Sequence, residues 1–369
     1  MLACAPMRRS FQLPPLLLLI LLFIAVLGGP AAAGENDWLF KYSIRTWGGD
    51  FAAGYTGWPL FEGVDTILWA SAGGGYQKAA FYPADHDSPA PAGETGYVNL
   101  NIDWRFGISQ GILFHPDQER NLLDFTCLYV SRLQRYLDND SIPSGYPDRD
   151  GIWLNTLVSG LVFDTVTFDR RLILRRGFYA TLSTELAPGW LGNNVAGDSR
   201  YGRFTALAVG HQPLLARPEV SIYLAERLVY DILWGNEEQI PISVRTRIGG
   251  LTNVPLHKNP GSCRGLGGAI RGVGKDRFDG YVKLVNNLDL RIHFPSLRLP
   301  GEVVPGLVFY LDAGAYDESS RELRLPPLYL STGAGLVLNV FGYDLVLYAH
   351  YFFNEEAFTV SFDLGAHFN

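Results

Sequence analysis

The segment YVKLVNNLDLRIHF, residues 281–294, alternates between apolar and polar residues along most of its length. One set of alternate positions is apolar: Val282, Leu284, Leu288, Leu290, Ile292 and Phe294. The other set is polar or charged: Lys283, Asn287, Asp289, Arg291 and His293. Successive side chains of a β-strand point to opposite faces of the sheet. The segment therefore predicts a strand with one apolar face and one strongly polar face.

Two further segments, residues 330–340 and 358–368, alternate in the same way. Strands of soluble proteins usually have about 5–6 residues, whereas tilted strands that cross a membrane need about 9–11. The length of these segments and the crowded charges on one face favour a membrane barrel, with apolar faces toward lipid and polar faces toward a hydrated lumen. The alternative is a soluble sandwich whose apolar faces point inward.

The rest of the chain supplies further candidate strands between stretches rich in Gly and Pro. They are residues 38–46, 64–76, 97–114, 122–136, 152–166, 177–186, 201–210, 220–233, 303–315 and 344–353. Some early segments are long enough for two strands each, and the mixed pattern of residues 122–137 also allows a helix. Taking about 10 residues for each spanning strand, the sequence predicts an all-β, antiparallel transmembrane β-barrel of about 16 strands, within a range of roughly 14 to 16.

The N-terminus has the pattern of a secretory signal peptide. Arg8 and Arg9 precede an apolar run at residues 16–27, and a small-residue cleavage pattern follows at residues 31–33. We expect cleavage after Ala33, which leaves residues 34–369 as the outer-membrane barrel domain of a Gram-negative-type bacterium. The alternative is a retained membrane anchor, for which the apolar run is short.

Composition limits the classes of partner. The chain has 19 Tyr, 22 Phe, 8 Trp and 41 Gly, which fits strands, turns and the aromatic girdles of a barrel. A net charge of −7 argues against nucleic acid. Beyond the signal peptide only Cys127 and Cys263 remain, too few for a disulfide scaffold, and the sequence leaves open whether they pair. The histidines lack metal-ligand spacing, so we expect no metal and no cofactor.

The loop before residues 281–294 is rich in glycine around one arginine. It reads GLGGAIRGVGKDRFDG, residues 265–280, and contains Arg271. Glycines let the backbone turn sharply, and a guanidinium is a rigid fork suited to carboxylates. Asp289 and Asp312 lie at polar positions of the next two predicted strands. A loop that folds back into the lumen would bring Arg271 to both carboxylates.

These motifs resemble the BamA/TamA superfamily of outer-membrane barrels, the bacterial surface antigen family. AIRGV (269–273) is similar to the family's loop motif, LDLR (288–291) to its acidic strand segment, and YLDAG (310–314) to its aromatic-x-Asp-x-Gly segment. Residues 163–186 are similar to a strand–turn–strand segment of the family. The resemblance is clearest over about the last 200 residues. Val273 stands where Phe or Tyr is usual, and Asp289 where Glu is usual.

The resemblance implies a 16-stranded barrel whose sixth extracellular loop folds into the lumen, with five strands after that loop. It implies the following site residues: Arg271, Gly272 and Val273 in the loop motif, Asp289 and Asp312 as carboxylate partners, Tyr310 and Gly314 in the strand motif, and Phe362 and Phe368 in the C-terminal strand signal. In the family such barrels commonly end on the aromatic residue, whereas here Asn369 follows Phe368.

The resemblance also implies a function: insertion of other barrels into the outer membrane, or translocation of polypeptides. The expected partners are outer-membrane lipid and either unfolded outer-membrane proteins or a separate periplasmic protein. Such a protein would supply the family's periplasmic repeats, for which the short stretch after Ala33 leaves no room. One alternative is a channel or structural barrel without assembly activity, in which Lys283, Arg291 and His293 line the channel or only its wall. A second is an outer-membrane enzyme using His115 or His211 with Ser109 or Asp169. We expect no enzymatic activity.

Overall fold

The computed structural model describes residues 38–45, 48–56, 60–81, 95–115, 120–137, 142, 145–253, 265–274, 280–299, 301–317, 327–340 and 343–364. Three sequence-based predictions lie outside these residues: the signal peptide at residues 1–33, the C-terminal Phe368, and the partner cysteine Cys263. Among the described residues, no helix is both long enough and apolar enough to cross a membrane.

Within the described part of the chain, sixteen strands form one antiparallel sheet. They are β1 (Trp38–Arg45), β2 (Gly48–Tyr55), β3 (Thr66–Phe81), β4 (Thr95–His115), β5 (Arg120–Tyr136), β6 (Ile152–Asp164), β7 (Thr167–Asp169), β8 (Leu174–Ala187), β9 (Tyr201–Arg217), β10 (Val220–Gly235), β11 (Val282–His293), β12 (Leu297–Leu299), β13 (Gly301–Asp317), β14 (Tyr329–Val340), β15 (Tyr343–Phe352) and β16 (Ala357–Leu364). The predicted all-β antiparallel architecture is confirmed.

The strands follow one another in chain order from β1 to β16, as in a meander. The short β7 and β12 lie off this path, where they pair only with β8 and β13. The connections β5–β6, β8–β9 and β10–β11 share one edge of the sheet, which we call the long-loop end. The connections β6–β8, β9–β10 and β11–β13 share the opposite edge, the short-turn end. Strand β1 begins and strand β16 ends at the short-turn end.

The two faces of the sheet differ in the way that the alternation predicts. On β11, Lys283, Asp289 and Arg291 are at most 4% exposed, whereas the intervening Leu284 is 44% exposed. Other exposed apolar side chains share the outer face: Phe309, Leu311, Leu336, Leu347 and Phe362. A protein in water buries such residues and exposes its charges. An apolar outside around a polar inside is the pattern of a barrel that faces lipid.

The long β10–β11 connection lies against the inner face of strands far apart in the sheet. On β8, the hydroxyl of Ser183 accepts a hydrogen bond from the backbone N–H of Leu251 at 3.2 Å. On β9, Arg203 donates to the carbonyl of Arg247 at 3.1 Å. On β14, Ser331 donates to a carbonyl of the same connection. The sheet therefore curls around this connection, as the predicted loop inside a lumen requires.

Several sequence-based details differ from the structure. Strand β2, GGDFAAGY, was not predicted, because its glycines and alanines give little alternation in hydropathy. The helical alternative for residues 122–137 is wrong, since β5 covers residues 122–136 as a single strand. The long early segments are also single strands, up to 21 residues in β4. After the long connection, five strands of the path follow, as the family resemblance implies.

At the long-loop end, the buried carboxylate of Asp148 connects the β5–β6 connection to the β10–β11 connection through hydrogen bonds. Asp148 is fully buried. It accepts hydrogen bonds from the hydroxyl of Tyr136 at 2.6 Å and from the backbone N–H groups of Ile242 at 3.1 Å and Ser243 at 3.3 Å. These N–H groups open the helical turn Ile242–Arg245, whose donors have no partner within the turn. Burial raises the pKa of Asp148, against the effect of these hydrogen bonds.

The raised pKa predicts a pH-dependent stability of this contact. The folded state binds the proton of the Asp148 carboxyl group more tightly than the unfolded state does. The protonated group therefore contributes its full share to the stability of the folded state below the unfolded pKa, near 4. This contribution is lost as the pH rises through the folded pKa. Relative to Asp148→Asn, the wild type should therefore gain heat resistance as the pH falls from 7 to about 4. The heat-dependent gel shift of the folded barrel measures this difference.

Tyr136→Phe is the matched control for this measurement. It removes one hydrogen bond that favours the charged form of Asp148 but keeps the carboxyl group. The pH dependence should then move to higher pH and persist. Parallel profiles for the wild type and Asp148→Asn would contradict the assignment.

Candidate functional site

Two glycines set the path of the loop that carries Arg271. Gly268 and Gly272 have φ values of 87° and 84°, in the left-handed region that strongly favours glycine. A Cβ atom on Gly272 would also lie 2.8 Å from the Cβ of His350. The backbone therefore passes too close to β15 for any other residue. Between the two glycines, Arg271 points into the sheet and is 5% exposed.

Asp312 on β13 holds Arg271 through both backbone and side chain. Its Oδ2 accepts from the Arg271 backbone N–H at 2.8 Å and from Nε at 2.9 Å. Its Oδ1 accepts from Nη2 at 2.7 Å. Two parallel bonds between guanidinium and carboxylate form the geometry in which such pairs are strongest. The carboxylate is completely buried, so the guanidinium is its main charge partner.

Asp289 on β11 joins two arginines. Its Oδ1 accepts from Arg271 Nη2 at 2.5 Å, and its Oδ2 accepts from Arg291 Nε at 3.1 Å and Nη2 at 3.0 Å. Arg291 in turn lies 3.5 Å from Asp344 on β15. The buried charges therefore form a chain across the inner face, in which cations and anions alternate. A short Asp side chain reaches Arg271 here, at the position where the family that the sequence resembles usually has Glu.

Aromatic rings cover the guanidinium on one side. The Arg271 Cζ lies 3.7 Å from the ring centroid of Tyr310 and 5.5 Å from that of Tyr348. A cation over an aromatic face is attracted by the ring quadrupole, more strongly where water is excluded. Glycines provide the space around these rings and the loop. A Cβ on Gly333 would lie 2.7 Å from the Tyr310 ring, and one on Gly314 would lie 2.4 Å from the Leu266 side chain.

Three polar residues of the site were missed by the sequence analysis. Ser331 on β14 donates to the Arg271 carbonyl at 2.6 Å. His350 on β15 bonds the Tyr310 hydroxyl through Nδ1 and contacts the hydroxyl of Ser361 on β16 at 2.7 Å through Nε2. All three lie on the inward-facing alternation of their strands, which is the signal that could have identified them. The site thus reaches from β11 to the last strand.

The other predicted site residues are placed as follows. Val273 is buried at 7% exposure, Gly314 lies under the loop, and Phe362 is 61% exposed on the outer face of β16. Cys127 is half-buried on β5, and its pairing with Cys263 falls outside the described residues. Lys283 lies on the inner face and donates to the loop carbonyl of Arg245.

The residues of the enzyme alternative have structural contacts of their own. Ser109 shares a hydrogen bond with Thr126 at 3.1 Å. Asp169 accepts from backbone N–H groups in the β7–β8 turn, and the ring of His211 lies 6.2 Å from that of Tyr223.

Arg271→Ala should destabilise the barrel, because it leaves two buried carboxylates without their shared cation. Breaking a buried ion pair from one side costs on the order of 3–5 kcal/mol, less where water can enter. We expect a large drop in the temperature of the gel shift, or failure to assemble. Urea unfolding of the purified proteins measures the change in the free energy of unfolding.

Two further variants test the interpretation. Asp312→Ala should be similarly harmful, and adding it to Arg271→Ala should cost less than the sum of the two, because the partners act as a unit. Arg200→Ala is the control, since Arg200 pairs with Asp198 at the surface with 53% of its side chain exposed. Such a pair contributes about 0–1 kcal/mol. Additive losses, or equal losses in the control, would contradict a buried charge network.

No protein-family model and no curated protein matches the sequence. Solved structures do match. The chain is similar to BamA from Haemophilus ducreyi lacking POTRA domains 1–3, with a TM-score of 0.51 at 14% identity over 88% of this chain and 62% of that one. It is also similar to CdiB from Escherichia coli, with a TM-score of 0.52 at 15% identity over 89% of this chain and 55% of that one.

The chain thus spans less than two thirds of the length of either structure. At these identities the likeness concerns the fold, and it agrees with the strand order and the inward loop described above. The fold implied by the resemblance to the BamA/TamA superfamily is confirmed: this chain folds as a transmembrane β-barrel of the kind found in BamA and CdiB.

Proposed function

We propose that this protein resides in the outer membrane and inserts or translocates polypeptides by pairing them with an edge of its own sheet. The observation that carries the proposal is the state of the two terminal strands. Strand β1 pairs with β2 and strand β16 pairs with β15, and the strand order of the described residues runs from one to the other without a β1–β16 pair. The first and last strands therefore form the seam of the barrel.

A seam of this kind offers backbone groups to another chain. An edge strand carries a row of N–H and C=O groups that template pairing with an incoming strand, and strand addition is a recurrent mode of peptide binding. Among the described residues every other pair of neighbouring strands on the path is hydrogen-bonded, so opening at this seam breaks fewer backbone hydrogen bonds than opening between any other two strands.

The Arg271 site supports a seam that opens while the rest of the wall stays in place. Arg271 binds β11 and β13 through the two carboxylates, and its carbonyl binds β14 through Ser331. His350 extends the contact from β15 to Ser361 on β16. The C-terminal side of the seam is thus braced from inside, which leaves the β1 side as the part that moves.

Crosslinking the seam should abolish assembly or translocation without blocking export of the barrel. We would place cysteines at Phe40 on β1 and Val360 on β16, in a background with Cys127→Ser and Cys263→Ser, and join them with a flexible bismaleimide. Folding of a labelled, urea-unfolded outer-membrane barrel by proteoliposomes measures the activity. Because a closed seam offers no free backbone groups, folding should return to the uncatalysed rate.

The matched control is a crosslink between Tyr351→Cys and Phe358→Cys. These positions are register partners on β15 and β16, which are already paired. This crosslink should leave activity unchanged. Full activity of the β1–β16 crosslinked protein would refute the seam mechanism.

Measuring ion conductance in a planar bilayer distinguishes the proposed function from the channel alternative. The cationic side chains on the inner face form hydrogen bonds within the protein: Lys283 donates to a loop carbonyl and Arg291 donates to Asp289. We therefore expect rare, brief openings of the wild type in a planar bilayer, and longer openings for Arg271→Ala if that variant assembles. Steady open pores in the wild type would favour a channel. The absence of enzymatic activity stays a prediction.

A further inference from the structure

We propose that a cavity at the short-turn end is a binding site for a phosphate group. The cavity has a volume of about 80 Å³ and lies where the β7–β8 turn meets the ends of β9, β10 and β11. We call it the short-turn cavity. Its polar lining comes from five side chains: Arg171, Arg217, Ser221, His293 and Ser296. The proposal is independent of the proposed function and concerns the opposite end of the sheet from the Asp148 contact.

The β7–β8 turn is held firmly over this cavity. Asp169 accepts from the backbone N–H groups of Arg171 at 2.9 Å and Leu172 at 3.3 Å. Ile173 adopts a positive φ of 50° with its side chain buried, a conformation that a β-branched residue rarely takes. Ser221 on β10 donates to the Leu172 carbonyl at 2.6 Å. These contacts hold the backbone at Arg171 close to β10.

His293 is the observation that points to a ligand. It is 3% exposed, and neither ring nitrogen has a hydrogen-bond partner among the described residues. Its ring stacks on Tyr223, with centroids 5.9 Å apart and planes 8° apart, so the ring orientation is fixed. An imidazole always carries at least one N–H donor. A buried donor without a partner costs free energy, and an acceptor bound in the cavity would remove that cost.

The charges around His293 select an anion as the acceptor. Arg171 and Arg217 line the cavity, and Arg291 lies two residues along β11 on the same face. The nearby Asp344 is matched by Arg291 and by Asn339, which donates to it at 2.6 Å. Asp169 is bonded to the turn, and Glu219 is exposed in the β9–β10 connection. The excess is cationic, within a chain whose net charge is −7.

Phosphate fits this lining. Its tetrahedral oxygens can accept from two guanidinium forks and an imidazole N–H at the same time, and Arg is the residue best suited to such contacts. The cationic lining excludes a metal ion. A lipid headgroup and free inorganic phosphate present the same chemistry, so the experiment must separate the two sources.

The test uses the full-length protein in a detergent without phosphorus. Titration calorimetry with inorganic phosphate tests the free anion, and native mass spectrometry with added phosphatidylglycerol tests the headgroup. Arg171→Gln combined with Arg217→Gln should weaken binding roughly tenfold or more, because two charge-assisted hydrogen bonds are lost. His293→Phe keeps a flat ring against Tyr223 but removes the N–H donor, and it should weaken binding by a smaller factor.

Arg170→Gln is the matched control, since Arg170 belongs to the same turn but does not line the cavity. It should bind like the wild type. Binding of inorganic phosphate that depends on the lining residues supports a soluble ligand, and lining-dependent binding of phosphatidylglycerol alone supports a headgroup. Binding of neither probe, or an equal loss in Arg170→Gln, overturns the proposal. The gel shift on heating verifies that each variant is folded.

Discussion

The contact of one guanidinium with two buried carboxylates constrains the rest of this structure. A charge removed from water is tolerated only where opposite charges and hydrogen bonds surround it. Arg271 therefore has to meet Asp289 and Asp312 closely, and the loop has to approach the wall to bring it there. Gly272 permits the left-handed turn at this approach, Gly314 leaves space for Leu266, and Tyr310 covers the cation. The residue types at these three positions are explained by the need to accommodate Arg271.

The same requirement of satisfied polar groups explains why the loop fills the inside. A barrel in lipid places its apolar side chains outward, so its donors and acceptors are concentrated within. The loop backbone supplies carbonyl acceptors to the donors on the wall. Arg203 donates to the carbonyl of Arg247, Lys283 to that of Arg245, and Asn287 to that of Ala269. At Arg271 the roles reverse, since the loop supplies the cation and the wall the anions.

Much of this arrangement could be predicted from the sequence, because strand alternation is a local property. The alternation within residues 281–294 and 303–315 placed Asp289 and Asp312 on the inner face, and the resemblance to a family implied their partner. The contacts of His350 with Tyr310 and Ser361 depend on register across the four strands from β13 to β16, which no local pattern encodes. Strand β2 lacks the alternation itself, since glycine and alanine are compatible with either face. The Asp148 contact joins residues about 94 positions apart and leaves no periodic signal.

The distribution of these contacts is uneven, and that unevenness bears on mechanism. The internal contacts described above lie at the long-loop end and on the strands from β8 to β16, and none of them reaches β1 or β2. On strands β1 and β2 the aromatic side chains Phe40 and Phe51 lie on the exposed outer face. Free energy of opening follows the number and burial of the contacts that must break. Under the proposed function we expect the wall to open first at β1, because His350 connects the last strand to Tyr310, which in turn covers the loop's Arg271.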